Sequence, residues 1–145
     1  MTVDVQSEII IDQPPSRVAT YAANPDNAPD WTALVDAVQW LTPRPLTLGT
    51  KVLIVDRSSG RPVEHTAEVV ALEIGERLVM RSEDAPVSQE TIYRWEPAGK
   101  NATRMIIQRR RDPPEIYREA APLMELALQR TNQKDLERLK ALLEG

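Results

Sequence analysis

His65 is the one histidine of the chain and sits in VEHTAEVV, where Glu64, Thr66 and Glu68 alternate with His65, Ala67 and Val69. In a strand, that period of two turns the imidazole to the same side as the apolar residues. Its ordinary pKa lies near neutrality, which suits a general base or a polar anchor inside an apolar pocket; the competing role is a half-exposed histidine bonded to its neighbours. Tyr93, in TIYRWEP, shares one side with Thr91 and Trp95, and its hydroxyl can donate to a ligand carbonyl. Arg109 follows Thr103, Met105 and Ile107 on one side of the next stretch. There it can hold a carboxylate or enolate oxygen in a charge-assisted hydrogen bond; its competing role is a solvated strand-end arginine. If RSSGR turns the chain, Asp56 comes near His65 across a hairpin and orients the ring, whereas a one-residue slip removes the pairing. Together the three candidates suit enolisation or loss of water.

Around them stand the residues expected to contact a ligand. Trp31, Trp40 and Trp95 offer flat rings for stacking, and core packing is the competing role of each. Tyr21, Ile54, Met80, Met105 and Ile107 join Ala67, Val69 and Thr91 as expected lining. From the C-terminal part, Leu123, Met124 and Ala127 complete the set, because a small alanine beside an adaptable methionine leaves room under a helix. Thr131 and Asn132 interrupt the apolar stripe there and can supply polar contacts, while RTNQKDLERLK reads as a solvated charged face.

Elements must hold these side chains. Residues 3–11 alternate with period two, which predicts a strand with one buried face. Pro14 and Pro15 cannot donate to a ladder, yet proline suits the first turn of a helix, predicted over about 15–23. Pro25 ends it by disfavouring helical geometry at Asn24, and Pro29 opens a second short helix carrying Trp31 and Leu34. Strands are then predicted at 35–41, 51–57, 62–73, 77–82, 88–95 and 102–110, joined by short Gly, Pro, Ser or Asn turns including RSSGR and EDAP. Such connections give a sequential antiparallel meander. From 113 to 143 the period becomes helical, with Ile116, Ala120, Leu123, Met124, Ala127, Leu128, Leu136, Leu139, Leu142 and Leu143 as its stripe. Pro122 kinks this segment or divides a lead-in from the main helix. An α+β fold follows, with a seven-stranded antiparallel curved sheet wrapped around the long C-terminal helix and two short helices plugging one end. Such a sheet leaves room for an interior cavity.

Composition narrows the partners. At 145 residues and 41% hydrophobic, the chain fits a single domain spanning 1–145 with a substantial core. A net charge of -4 and a pI near 5.1 disfavour nucleic acid or an anionic membrane as partner. The absence of cysteine and the single histidine lead us to expect no metal site and no cofactor. No basic leader and no run of about 20 apolar residues is present, so a soluble, cytoplasmic protein without an integral membrane segment is expected.

Four stretches carry a resemblance: IIIDQPPSRVATYAANPDNAPDW, LEIGERLVMRSE, IYRWEPAGKNATRM and LERLKALLE. With them the chain resembles the START-like, or SRPBCC, superfamily of helix-grip proteins, in its polyketide cyclase/dehydratase-like branch. Where that pattern has a glycine-threonine pair, this chain has Ala102 and Thr103. The resemblance implies a cavity and hydrophobic or aromatic ligands, and its members range from lipid carriers and ligand sensors to cyclases. The reading is therefore a binder of a hydrophobic or aromatic small molecule, lipid or polyketide-like. The alternatives are a cyclase/dehydratase working in the same cavity, and a stress-related or regulatory protein-binding module. Oligomeric state is not legible.

Overall fold

In the computed structural model, which describes residues 2–57, 60–83 and 88–145, the alternation of the first stretch becomes strand β1, Val3–Ile11, with Val3, Val5 and Ile11 buried and Asp4, Gln6 and Glu8 exposed. Pro14 is extended and Pro15 opens helix α1, Pro15–Ala22, whose buried face is Val18, Ala19 and Ala22. The helix stops where expected. Asn24, ahead of Pro25, is extended, and its side-chain carbonyl accepts from the Asp26 N–H at 3.0 Å. A 3-10 turn at Pro25–Asn27 leads into the single turn of α2, Ala28–Trp31, which ends at extended Thr32. The break thus delivers Trp31 and Thr32, both buried, in succession to the interior.

Six strands follow: β2 Ala37–Trp40, β3 Lys51–Asp56, β4 Val63–Glu73, β5 Arg77–Ser82, β6 Ser88–Pro97 and β7 Thr103–Asp112. The order across the sheet is β1-β7-β6-β5-β4-β3-β2, all antiparallel. This is the expected meander, closed by β1 on its last strand. Gly75, at φ 78, takes the left-handed conformation that the β4–β5 turn requires. The turns read in RSSGR and EDAP include residues 58–59 and 84–86, which lie outside the described residues. A bulge between Val69 and Ala71 shifts the β4–β5 register, a device that bends a strand and tightens its twist.

Pro122 divides the C-terminal segment. A 3-10 lead-in at Glu115–Ala120 precedes the long helix α3, Ala121–Glu144, with Pro122 in its first turn. The helix packs mainly on β1. Leu136, Leu139 and Leu143 enter the main core with Ile11, Val18, Trp31, Val69, Tyr93, Trp95, Met105 and Ile107. Leu128 forms a smaller cluster with Val3 and Val5, against which Met124 packs. The expected stripe is rotated in its first half: Leu123 is 71% exposed and Ile116 83%, and Ala127 is exposed. The buried side runs 128, 132, 135, 139, 143. Leu123 and Ala127 stand one residue, or about 100° of turn, off that line.

Outside the core, Asp26 clamps the helix break to the β2–β3 connection. Its carboxylate accepts from Trp40 Nε1 at 2.9 Å and from Arg44 Nη2 at 3.0 Å, and the Arg44 guanidinium lies 4.8 Å over the Trp40 ring. The hydrogen bond from Trp40, then that from Arg44, holds the Asp26 carboxyl below its ordinary value. A depressed folded-state pKa contributes stability above the unfolded value and loses it as pH falls through the folded one. Asp26→Asn should accordingly melt slightly below the wild type near pH 7, and the two curves should converge as the buffer is taken below the ordinary carboxylate range. In urea denaturation, Leu139→Ala should cost about 2–5 kcal/mol, while Leu123→Ala should stay within about 0.5 kcal/mol of wild type.

Candidate functional site

A cavity of ≈ 80 Å³ opens between the inward face of β3–β7, the end of α1 and the segment from α2 to β2. Its apolar walls come from opposite sides: Leu34, Val35 and Val38 from the segment after α2, and Val52, Ile54 and Ala67 from β3 and β4. Polar side chains occupy the sheet wall. The alternation that turned His65, Tyr93 and Arg109 inward has placed all three along this one cavity, together with Thr91 and Met80. Registers explain the grouping, since Met80, Thr91 and Arg109 are successive partners across β5, β6 and β7.

Arg109 is not solvated. It is 3% exposed, and its guanidinium meets Asp135, 2% exposed, at 2.9 Å. Nη1 donates to Asn132 Oδ1 at 2.8 Å, and Nη2 donates to Thr32 Oγ1 at 3.1 Å. Thr32 Oγ1 in turn donates to Asp135 Oδ2 at 2.7 Å, the Ala33 N–H donates to Asp135 Oδ1 at 3.0 Å, and Asn132 Nδ2 reaches the Val5 carbonyl. This network joins β7, β1, the end of α2 and α3. Tyr93 is hydrogen-bonded to the Arg109 side chain as well. Burial pushes the Tyr93 phenol up, with the Arg109 charge opposing, so its hydroxyl stays protonated at neutral pH and can donate.

His65 is buried, and its Nδ1 lies 2.8 Å from Ser82 Oγ, with the Gln89 amide nitrogen 3.4 Å from Nε2. In a neutral imidazole one of these two nitrogens donates and the other accepts. Ile54, not Asp56, is the residue opposite His65, and Asp56 pairs with Val63. The register therefore sets Asp56 two residues along β3 from the position opposite His65, and Ser82 Oγ lies beside the ring.

The remaining expected residues divide. Trp31 and Trp95 pack on Tyr93, at centroid distances of 5.4 and 6.2 Å, and with Val69, Met105 and Ile107 they form core behind the cavity. Trp40 stands outside, in the Asp26 clamp, and Tyr21 lines an outer groove beside Leu143. Leu123, Met124 and Ala127 lie away from the cavity, for the helical phase that exposes two of them directs Met124 to the Val3 cluster. Conversely, Thr32, Ser82, Gln89 and Asp135 were not singled out. The signal for Asp135 was its seven-residue spacing from Leu128, with Asn132 and Leu139 on the same side. Among the described residues no group of acidic, histidine or cysteine side chains could hold a metal ion, and no helix is long and apolar enough to cross a membrane.

Removing one partner of a buried ion pair leaves the other charge stranded. Asp135→Ala should cost about 3–5 kcal/mol in denaturant unfolding, whereas the double replacement Arg109→Met, Asp135→Leu should recover most of that loss.

Several solved structures share this fold. The Zhui aromatase/cyclase from Streptomyces sp. R1128 superposes with a TM-score of 0.80 at 16% identity, covering 99% of this chain and 94% of that one. A protein of Thermus thermophilus gives 0.79 at 18%, covering 95% and 94%. Norcoclaurine synthase from Thalictrum flavum gives 0.69 at 14%, covering 99% and 87%. No curated protein matches the sequence. A family model described as polyketide cyclase / dehydrase and lipid transport matches residues 2–144, in agreement with the curved sheet, the end-plugging helices and the long C-terminal helix, and the chain belongs to that family.

Proposed function

We propose that this protein binds a small, largely apolar, flat molecule with an oxygen acceptor at one edge, and holds it in the cavity of β3–β7. The observation that carries this reading is the grouping of His65, Thr91, Tyr93 and Arg109 on one wall of an otherwise mostly apolar cavity. The hydroxyl and imidazole groups on that wall would hydrogen-bond a ligand carbonyl or hydroxyl. The fixed ion pair keeps the guanidinium in place without ligand, which lowers the ordering cost of binding. The apolar walls from β2, β3 and β4 supply the burial term. A cavity of ≈ 80 Å³ suits about one ring, and longer ligands require the segment from α2 to β2 to move.

A second reading, cyclase or dehydratase, is favoured by one observation. An imidazole, a protonated phenol and a guanidinium line the same space. With Gln89 turned aside, His65 Nε2 would take a proton from the carbon next to a ligand carbonyl, and Tyr93 and Arg109 would stabilise the enolate oxygen. The enolate carbon would then attack a second carbonyl of the same chain. Protonation of the resulting alkoxide, followed by loss of hydroxide with a neighbouring proton, releases water and needs no cofactor.

Tryptophan-fluorescence titration with acetophenone and 2-acetonaphthone tests binding, since Trp31 and Trp95 flank Tyr93. Saturable quenching is expected. Ala67→Leu, which fills the cavity, should weaken it about tenfold or more, while Ala127→Trp, on the exposed side of α3, should leave it unchanged. Failure of both ketones to quench, or an unchanged affinity in Ala67→Leu, would remove the proposal. For the second reading, His65→Ala should abolish conversion of a poly-β-keto substrate while preserving ketone affinity.

A further inference from the structure

The core uses only part of the apolar stripe that the sequence of the C-terminal segment carries. In the first half of α3, Leu123 is 71% exposed and Leu126 44%, and Ala127 beside them is exposed. On the lead-in before them, Ile116 and Tyr117 stand in solvent too. Leu126 lies two residues, or about 200° of turn, from buried Leu128, so this stripe faces away from the core. Glu119, at the end of the lead-in, and Arg130 close its two ends; both are exposed, and neither makes a side-chain hydrogen bond or ion pair among the described residues. The positions 119, 123, 126 and 130 are spaced by four, three and four residues, which is the seam of a helix that packs lengthwise on another helix.

From this stripe we infer that α3 is the contact between two copies of this chain, packed antiparallel about a two-fold axis that passes between Met124 and Glu125. Leu123 then meets Leu126 of the partner subunit, and Glu119 meets Arg130 of the partner subunit, because both pairs are centred on that one point of the helix. The two-fold makes each contact twice. A parallel pairing would instead set Glu119 on its own copy and Arg130 on its own copy, like charges face to face. The occupant is a second copy because the stripe is complementary to itself: its acidic end matches its own basic end. Glu119 and Glu125 beside the leucines, and the net charge of -4, oppose docking on an anionic membrane. The stripe is about 20 Å long and 10 Å wide. That is smaller than the roughly 800 Å² per partner of a standard interface, so the dimer is a weak one that dissociates at about tens of micromolar.

Sedimentation equilibrium of the full chain between about 5 and 500 µM should pass from monomer to dimer. Leu123→Lys should weaken the dimer about tenfold or more, and Arg130→Glu, which sets like charges opposite one another, about threefold or more. The double replacement Glu119→Arg, Arg130→Glu restores opposite charges and should recover the wild-type constant within about twofold. All three positions are exposed, and an unchanged circular dichroism spectrum reports an intact fold. A chain that stays monomeric throughout overturns the inference. So does a dimer indifferent to Leu123→Lys, which would lie on another face, or a double replacement that gains nothing over Arg130→Glu alone. A monomer that floats with vesicles of phosphatidylcholine and phosphatidylglycerol gives the stripe to a membrane surface and likewise overturns it.

Discussion

One buried ion pair sets the geometry on which the rest depends. Arg109 comes from β7, beside edge strand β1, and Asp135 from the C-terminal helix, and the pair is tied to Thr32 and Asn132. Two charges removed from water are expensive unless geometry and additional hydrogen bonds are good. Here α2 ends at the residue that gives the Asp135 carboxylate a hydroxyl donor, followed at once by a backbone N–H. This answers why the chain interrupts itself with four prolines between residues 14 and 29: a continuous helix would not hand Trp31 to the core and Thr32 to the ion pair in consecutive positions.

The same pair separates two roles within a single wall. Behind it, Trp31, Trp95, Met105 and Ile107 are packed solid with the leucines of α3. In front of it, small and medium side chains from β3, β4 and the segment after α2 leave space. Fold membership alone does not choose a function, since a family described by both cyclisation and lipid transport uses one architecture for unlike tasks. What distinguishes this chain is its polar inventory. A serine-held histidine, a protonated tyrosine and an arginine paired with Asp135 face a mostly apolar chamber.

Much of this was legible before the structure. Period-two alternation correctly turned His65, Tyr93 and Arg109 to one side, and proline placement marked α1, the break and the start of α3. Residues whose place depends on tertiary phase were not legible. Asp135 sits in a charged run that reads as a solvated face, and only its line with Leu128, Asn132 and Leu139 reveals otherwise. Leu123 and Ala127 satisfied a helical stripe, but the helix begins at Pro122 and its phase is set by the core leucines downstream. Trp40 illustrates the limit for aromatics: its size suggested a ligand platform, yet its place at the end of edge strand β2 gave it to Asp26 and Arg44. Asp56 stands two residues along β3 from the position opposite His65, a register that no turn motif alone could specify.

The most direct test of the central claim reads Arg109 itself. Nitrogen-15 NMR resolves arginine Nε–H resonances, and Arg109→Lys would assign the one in question. On addition of 2-acetonaphthone, that resonance should shift, because a ligand seated against this wall changes the surroundings of the guanidinium. A ligand that saturates the protein while the Arg109 Nε–H resonance stays where it was would contradict the assignment of this cavity wall as the recognition site.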